Sequence, residues 1–450
     1  MREVIFFAIF AEENNCYLMK IDKIIIGGYT NIQHVELTLN GLTALTAPNN
    51  YGKSNILAAV RFATDFISSS PSEKSEMMNF RPAISINSTI ATMPFTFVME
   101  GRLEHEGKEV VYDYGFSFEW AKSDSMDKGA KITEEHLRLK QVDDKRYTSY
   151  ILRTRPDRTK HLATPKGRCV SPITILSNQL ALNKMASYDS LFYVDVLKML
   201  NNIQVKNVNT LIDPDSFFAL SPQNDSVNGY SVNFPERSNA GFFIYSLKQL
   251  QPEKYELLKD AIMNLLDDVE DFEPIKVNIR KENETTVDKV PYQASDVLYD
   301  IRVKERFNNQ HTSISRISSG SKRIIYVLAL TLAGSINQIP LITFEELENS
   351  VHIRLLENLL EAVLQLSGET KILITSHSPY LVKYLSAENI YLGMPNSNGL
   401  ADFRQLRAKK IKKAIRMASS EELTLGEYLF ELMLDADGNS DWLNEYFEKA

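Results

Sequence analysis

The stretch Ala47-Pro48-Asn49-Asn50-Tyr51-Gly52-Lys53-Ser54 decides the fold class of this chain. Immediately before it, Leu42 to Thr46 reads as a short apolar strand. After it, Ile56, Leu57, Val60, Ala63 and Ile67 fall at helical spacing from Lys53 to Ser68. A strand, a loop ending in Gly-Lys-Ser and a helix make a phosphate cradle. Backbone N–H groups of Asn49 to Gly52 curl toward an anion, the helix N-terminus adds positive potential, and Lys53 reaches the terminal phosphates. Ser54 is placed to offer its hydroxyl to Mg²⁺. Ala47 stands where this pattern usually has Gly, and keeps a small side chain.

Three further stretches follow downstream. Leu341-Ile342-Thr343-Phe344-Glu345-Glu346 is an apolar strand ending in two carboxylates, one to hold hydrated Mg²⁺ (Glu345) and one to polarise an attacking water (Glu346). In isolation it would read as a core strand ending in solvated acids; the upstream phosphate loop tips the reading. Thr375-Ser376-His377-Ser378 closes another strand, 371–375, so that His377 stands at a strand's C-terminal edge, where it can bond a terminal phosphate. Ile317-Ser318-Ser319-Gly320-Ser321-Lys322-Arg323 opens a long apolar helix. It reads either as an ordinary N-cap or as an anion site of exposed amides.

Taken in this order, the four stretches resemble the ATP-binding-cassette head domain. The branch they are most similar to contains RecF, the structural-maintenance-of-chromosomes (SMC) proteins and the overcoming-lysogenization-defect (OLD) ATPases. The opening Lys23-Ile24-Ile25-Ile26-Gly27-Gly28-Tyr29-Thr30-Asn31-Ile32 is similar to that group's first strand and turn, with Thr30 where the group usually has Lys or Arg. Glu345-Glu346-Leu347-Glu348-Asn349-Ser350-Val351-His352 resembles its Glu-Glu-Pro-Glu-Asn stretch, with Leu347 for Pro and Ile353 for the Pro after His. The resemblance covers roughly 19–70 and 270–395. It implies an α/β fold: an ABC-type head, a P-loop mixed sheet with an antiparallel β layer, plus a helical insertion subdomain. It also implies ATP and Mg²⁺ as ligands, Glu346 as general base and His377 as switch histidine. Ser318, Ser319 and Gly320 become a signature motif that contacts the γ-phosphate held by an opposing subunit. The catalytic site is then a composite of two heads that ATP joins and hydrolysis separates. The group's Q-loop glutamine has no distinguishing context here.

The implied organisation is an extension over 1–18, an N-terminal lobe of the head over 19–174, a helical insertion over 175–270, a C-terminal lobe over 271–400 and a basic-then-acidic tail over 401–450. Residues 94–99, 109–119 and 131–142 alternate apolar and polar as half-buried antiparallel strands do. Helices are expected around 177–202 and 243–268, with loop over 205–240. The 260-odd residues between the phosphate loop and Ser318 carry no sustained heptads, so long SMC-type coiled-coil arms are not expected. With roughly 70 residues after His377, the metal-dependent Toprim nuclease of OLD proteins is not expected, and Asp435-Ala436-Asp437 reads as a solvated acidic turn.

The 450 residues are 44% hydrophobic, with 50 Lys+Arg against 58 Asp+Glu, a net charge of −8 and two cysteines. Disordered and collagen-like classes are excluded. Two thiols cannot staple so long a chain, which points to reduced Cys16 and Cys169 and a cytoplasmic protein with no membrane partner. Charge is segregated, however. Arg404, Arg407, Lys409, Lys410, Lys412, Lys413 and Arg416 crowd one short stretch. Arg153, Arg155, Arg158, Lys160, Lys166 and Arg168 crowd another. Either tracks a phosphate backbone, or is a solvated face answering the acidic tail.

Three functions fit. The first is a compact ATPase whose ATP-linked homodimer or higher homo-oligomer controls a separately encoded nuclease or other effector, as in bacterial antiphage modules of the Septu or PARIS type. The second is a RecF-like repair ATPase that clamps DNA itself, with 404–416 as its nucleic-acid contact. The third is a nucleotide-gated scaffold with negligible turnover.

Overall fold

A computed structural model describes residues 19–121, 130–209, 214–218, 232–235, 240–278, 297–349, 351–378, 381, 384–394, 398–434 and 446–447. The expected extension over 1–18 and the acidic turn at Asp435-Ala436-Asp437 lie outside them. By their contacts the described residues fall into two compact units. One holds 19–39, Asn55–Val205 and Asn398–Ala401; the other holds Asn40–Ser54 and the described parts of Lys206–Ser397 and Asp402–Ala450.

The first unit is built on an eight-stranded sheet. Its order is Ile32–Thr38, Lys20–Tyr29, Phe95–His105, Lys108–Phe118, Ile132–Gln141, Thr148–Arg155, Arg158–Leu162 and Cys169–Ile173. Every pairing is antiparallel. Alternation along Phe95, Phe97 and Met99 places every second side chain on the buried face. There Phe95 pairs in register with Phe118, and both rings meet Phe62 and Trp120 at centroid distances of 4.8–6.3 Å. Two short helices, Ala181–Met185 and Val194–Asn201, replace the single helix expected over 177–202.

The second unit carries a six-stranded sheet in the order Val205–Asn209, Leu341–Glu345, Lys371–Ser376, Leu42–Thr46, Ile390–Gly393 and Phe403–Gln405. The four strands from Leu341–Glu345 to Ile390–Gly393 are parallel, and Phe403–Gln405 turns back antiparallel. The central strands are buried on both faces, as helix-covered parallel strands are. Helix Ser319–Ile336 is buried continuously from Lys322 to Gly334, a helix of the unit's interior rather than of its surface. Helix Ile353–Ser367 packs beside it in the same core. A smaller antiparallel sheet of Val269–Asn278, Val297–Glu305 and Thr312–Ser313 completes this unit.

Two expectations change here. The expected helix over 243–268 is broken at Gln251-Pro252 into Ala240–Leu250 and Pro252–Leu265, because proline has no N–H to continue the ladder. The polar stretch after 205, read as loop, begins with an edge strand. Asn207 meets the Thr343 hydroxyl through its side-chain oxygen, a contact across 136 residues that no local pattern announces.

Candidate functional site

All twelve residues singled out from the sequence belong to the second unit. The parallel sheet positions most of them, since strands Leu42–Thr46, Leu341–Glu345 and Lys371–Ser376 are neighbours whose C-terminal ends line up in register. Glu345 faces Thr375, and Ser376 faces Thr46. Loops leaving that edge of an open parallel sheet are where ligands bind.

The first of these loops is Ala47–Ser54, which the sequence reads as a phosphate cradle. Ala47 is fully buried and its N–H donates to the Ser376 carbonyl at 3.2 Å. Asn50 and Gly52 both take left-handed backbone angles, φ 68° and 96°, which turn the chain sharply into the helix that starts at Lys53. Asn49 and Asn50 are exposed, Tyr51 is half-buried and Gly52 is buried. Lys53 is 7% exposed, and its ammonium donates to the Ala47 and Pro48 carbonyls at 2.6 and 2.9 Å. The lysine therefore closes the loop on itself. Burial pulls its pKa below the ordinary value, while the carboxylates of Glu346, Glu348 and Glu345 oppose that shift.

Opposite the loop, the Ser54 hydroxyl donates to Glu345 Oε1. Two hard oxygen donors thus meet from positions 291 residues apart in sequence. A hydroxyl and a single carboxylate suit Mg²⁺, which keeps most of its waters and needs no protein cage. No group of three His, Cys, Asp or Glu able to hold a metal occurs among the described residues.

The next residue, Glu346, leaves the strand with φ 54°, a left-handed angle costly for a residue with a side chain. Its N–H is anchored to the Thr375 carbonyl at 3.0 Å. The turn aims its carboxylate at His377, whose Nδ1 lies 3.2 Å from Glu346 Oε1. Both side chains keep access to solvent, 22% for Glu346 and 44% for His377.

Ser318 caps helix Ser319–Ile336, its hydroxyl accepting from the Ser321 N–H at 3.1 Å. Ser318 and Ser319 are exposed and Gly320 is half-exposed. The following two cations face inward. Lys322, 4% exposed, is bonded to the Asp215 carboxylate and to the Ser315 carbonyl at 2.7 Å. Arg323 donates to the Asn349 carbonyl at 3.2 Å, tying this helix to the loop that follows Glu346.

Sequence reasoning missed three contributors. Glu348 accepts a hydrogen bond from the Ser376 hydroxyl, and its other oxygen is buried with no partner among the described residues. Asp215 holds Lys322 from a polar stretch with no motif. Gly393 ends the strand beside the phosphate loop, where a β-carbon would lie 2.5 Å from that of Ala47. The missing side chain at 393 makes the room that lets Ala47 stand in place of glycine.

Against known families, residues 195–383 match the one described as "AAA domain, putative AbiEii toxin, Type IV TA system". The match takes in 189 of the 450 residues and marks that span as similar to an AAA domain. The span matched to this AAA family contains Ser318–Gly320, Glu345, Glu346 and His377, while the loop Ala47–Ser54 lies upstream of it. None of the curated proteins matches the chain. Among solved structures, it is similar to an SMC head bound to the C-terminal winged-helix domain of ScpA, at 13% identity over 87% of this chain and 99% of that one, with a TM-score of 0.43. It is also similar to the SMC head domain of Thermotoga maritima (14% identity, 87% and 100% covered, TM-score 0.41). A third is an SMC head with an extended coiled coil bound to the C-terminal domain of ScpA, derived from Pyrococcus furiosus (13% identity, 89% and 100% covered, TM-score 0.43). No helix among the described residues is long and apolar enough to cross a membrane.

Proposed function

We propose that this chain is an AAA-type ATPase that binds ATP with Mg²⁺ at the Ala47–Ser54 loop and hydrolyses it at a site completed by the Ser318–Gly320 turn of a second copy. The observation that carries the reading is the Glu346–His377 contact, one residue along from the Ser54–Glu345 pair. Lys53 would exchange the Ala47 and Pro48 carbonyls for phosphate oxygens, at little electrostatic cost since both partners accept from an ammonium. Ser54 and Glu345 would hold Mg²⁺, which neutralises charge on the phosphate oxygens. Glu346 would take a proton from the attacking water, and His377 would orient it and report the state of the terminal phosphate. Exposure of Ser318 and Ser319 supports a role toward a second copy, because their amides are open at a helix N-terminus.

Pairing of two copies is the output of such a cycle, and we assign its consequence to a separately encoded effector, a nuclease, in bacterial antiphage defence. Support for a defence setting comes from the matched family's own description, which names a toxin of a toxin–antitoxin system. Ser318→Arg tests the composite site. It should abolish hydrolysis and ATP-dependent pairing in light scattering, while ATP still binds the single chain. A fully active Ser318→Arg chain would refute the reading. For the effector, affinity capture with ATP and the Glu346→Gln chain should retain a nuclease; repeated capture of recombination proteins instead would favour repair.

One observation favours the second reading, a DNA-binding repair ATPase. In helix Ala408–Ser420, Lys409, Lys412 and Arg416 are exposed and share the face opposite buried Ala414 and Ala418. The stripe is shorter than the sequence suggests. Arg404 is bonded to Asp402, and Arg407 donates to the Phe447 carbonyl at 2.6 Å. If it clamps DNA, reversing charge at these three positions should abolish ATP-dependent retention of duplex DNA.

A further inference from the structure

The second basic stretch of the sequence resolves into two different things. Arg153 is a structural residue: only 1% exposed, it donates to the carbonyls of Pro156, Leu176 and Gln179 at 2.9, 3.2 and 2.8 Å. It cannot track a phosphate backbone. What it does is fix, from beneath, the turn at Pro156-Asp157 and the segment leading to Gln179. Two more bonds pin the same segment: Lys184 Nζ to the Thr174 carbonyl at 2.6 Å and the Ile132 N–H to the Ser177 carbonyl at 2.8 Å.

Between these pinned walls lies a trough of about 800 Å³ on the open face of the first unit's sheet. Its floor follows from register. Leu152, Lys160 and Pro172 stand side by side across three strands; beyond them the register shifts past Thr154 and Arg158 pairs with Arg155. Lys131 joins Arg158 and Lys160 in lining it, against a single carboxylate, Asp157. All three cations are exposed, and none has a carboxylate partner among the described residues. Three cations against one acid leave two positive charges in excess over a partly apolar floor.

We propose that this trough is a binding site for a phosphate monoester of about nucleotide size, held by Arg158, Lys160 and Lys131 with its apolar part against Leu152 and Pro172. A monoester carries close to two negative charges at neutral pH, which answers the excess. The volume falls in the range of small-molecule sites. Walls held by the bonds of Arg153 reduce the ordering cost of binding. No aromatic ring lines the trough, whereas surfaces that follow single strands rely on aromatic stacking. The site is separate from the phosphate loop and does not depend on ATP hydrolysis.

The test uses the full chain carrying Lys53→Ala, so that the phosphate loop does not contribute. AMP, inorganic phosphate and a single-stranded oligonucleotide of about twelve residues are titrated by calorimetry. Saturable one-to-one binding of AMP, tighter than inorganic phosphate, is expected. It should weaken at least about tenfold when Arg158→Glu and Lys160→Glu are added, with an unchanged thermal midpoint because both side chains are exposed. Absence of saturable AMP binding up to about 5 mM overturns the proposal. So does binding that ignores the charge reversal, or binding of the oligonucleotide alone, which would make the face a strand-tracking surface.

Discussion

Gly393 offers a sharp test of how the phosphate loop is built. In Gly393→Ala the new β-carbon would stand 2.5 Å from the β-carbon of Ala47, 3.2 Å from Tyr51 Cδ1 and 3.3 Å from Phe403 Cε1. Carbon atoms rest at about 3.5–4.0 Å, so the Ala47 contact is too close by about 1 Å or more. Ala47 has no side-chain torsion with which to retreat, and rings on two other sides block the new methyl. The backbone must move, and overpacking of that kind costs about 1–3 kcal/mol. The atoms displaced are those of the loop itself, including the Ala47 carbonyl that receives Lys53. Gly393→Ala should therefore lower the urea midpoint and weaken ATP binding together. Adding Ala47→Gly removes the clashing partner and should restore most of both, with a coupling of about 1–2 kcal/mol in the double-mutant cycle. Fluorescent-nucleotide titration and urea unfolding of the four chains measure it. Wild-type stability and affinity in Gly393→Ala, or no recovery on adding Ala47→Gly, would refute the account of why alanine is tolerated at 47.

Glu346→Gln keeps size and the left-handed backbone, so stability and ATP affinity should hold. Single-turnover hydrolysis should fall about 10²–10⁴-fold, or about 2.7–5.4 kcal/mol of barrier; a loss under about threefold would remove Glu346 as general base. Lys53→Ala deletes an ammonium whose charge-assisted bonds are worth about 1.5–3 kcal/mol each, and equilibrium dialysis should show ATP affinity down by about tenfold or more. Asp271 is held at a pKa of about 2, below its ordinary value, chiefly by hydrogen bonds from Lys259 and His311. A depressed carboxylate stabilises the fold above its unfolded pKa, and this contribution disappears as pH falls from about 4 toward about 2. Urea midpoints across that window should drop more steeply for the native chain than for Asp271→Asn; parallel curves would show the pair contributes nothing.

Much of the site was legible because its chemistry demands particular residues in short runs. The cradle Asn49–Ser54 needs a glycine turn, a lysine and a hydroxyl in succession, and the pair Glu345-Glu346 needs a buried strand before it. Helix Ser319–Ile336 was legible from its unbroken apolar run. The strands around Phe97 and Phe116 were legible because alternation is a local consequence of the pleat.

By itself, then, the sequence determined the loop Ala47–Gly52 between its strand and helix, the paired acids at a strand's end, the histidine after its strand and the α/β class, since each is written within short runs of consecutive residues. Only the tertiary structure decided that Ser54 meets Glu345, that Glu346 turns back to His377, and that Arg153 is a buried clasp rather than a phosphate contact. It also decided that residues 205–209 form an edge strand, and that an absent side chain at Gly393 makes room for Ala47. Each of these depends on strands brought together from distant parts of the chain. Neither hydrophobic period nor residue spacing carries that information, because the contacts are made across the sheet and not along it.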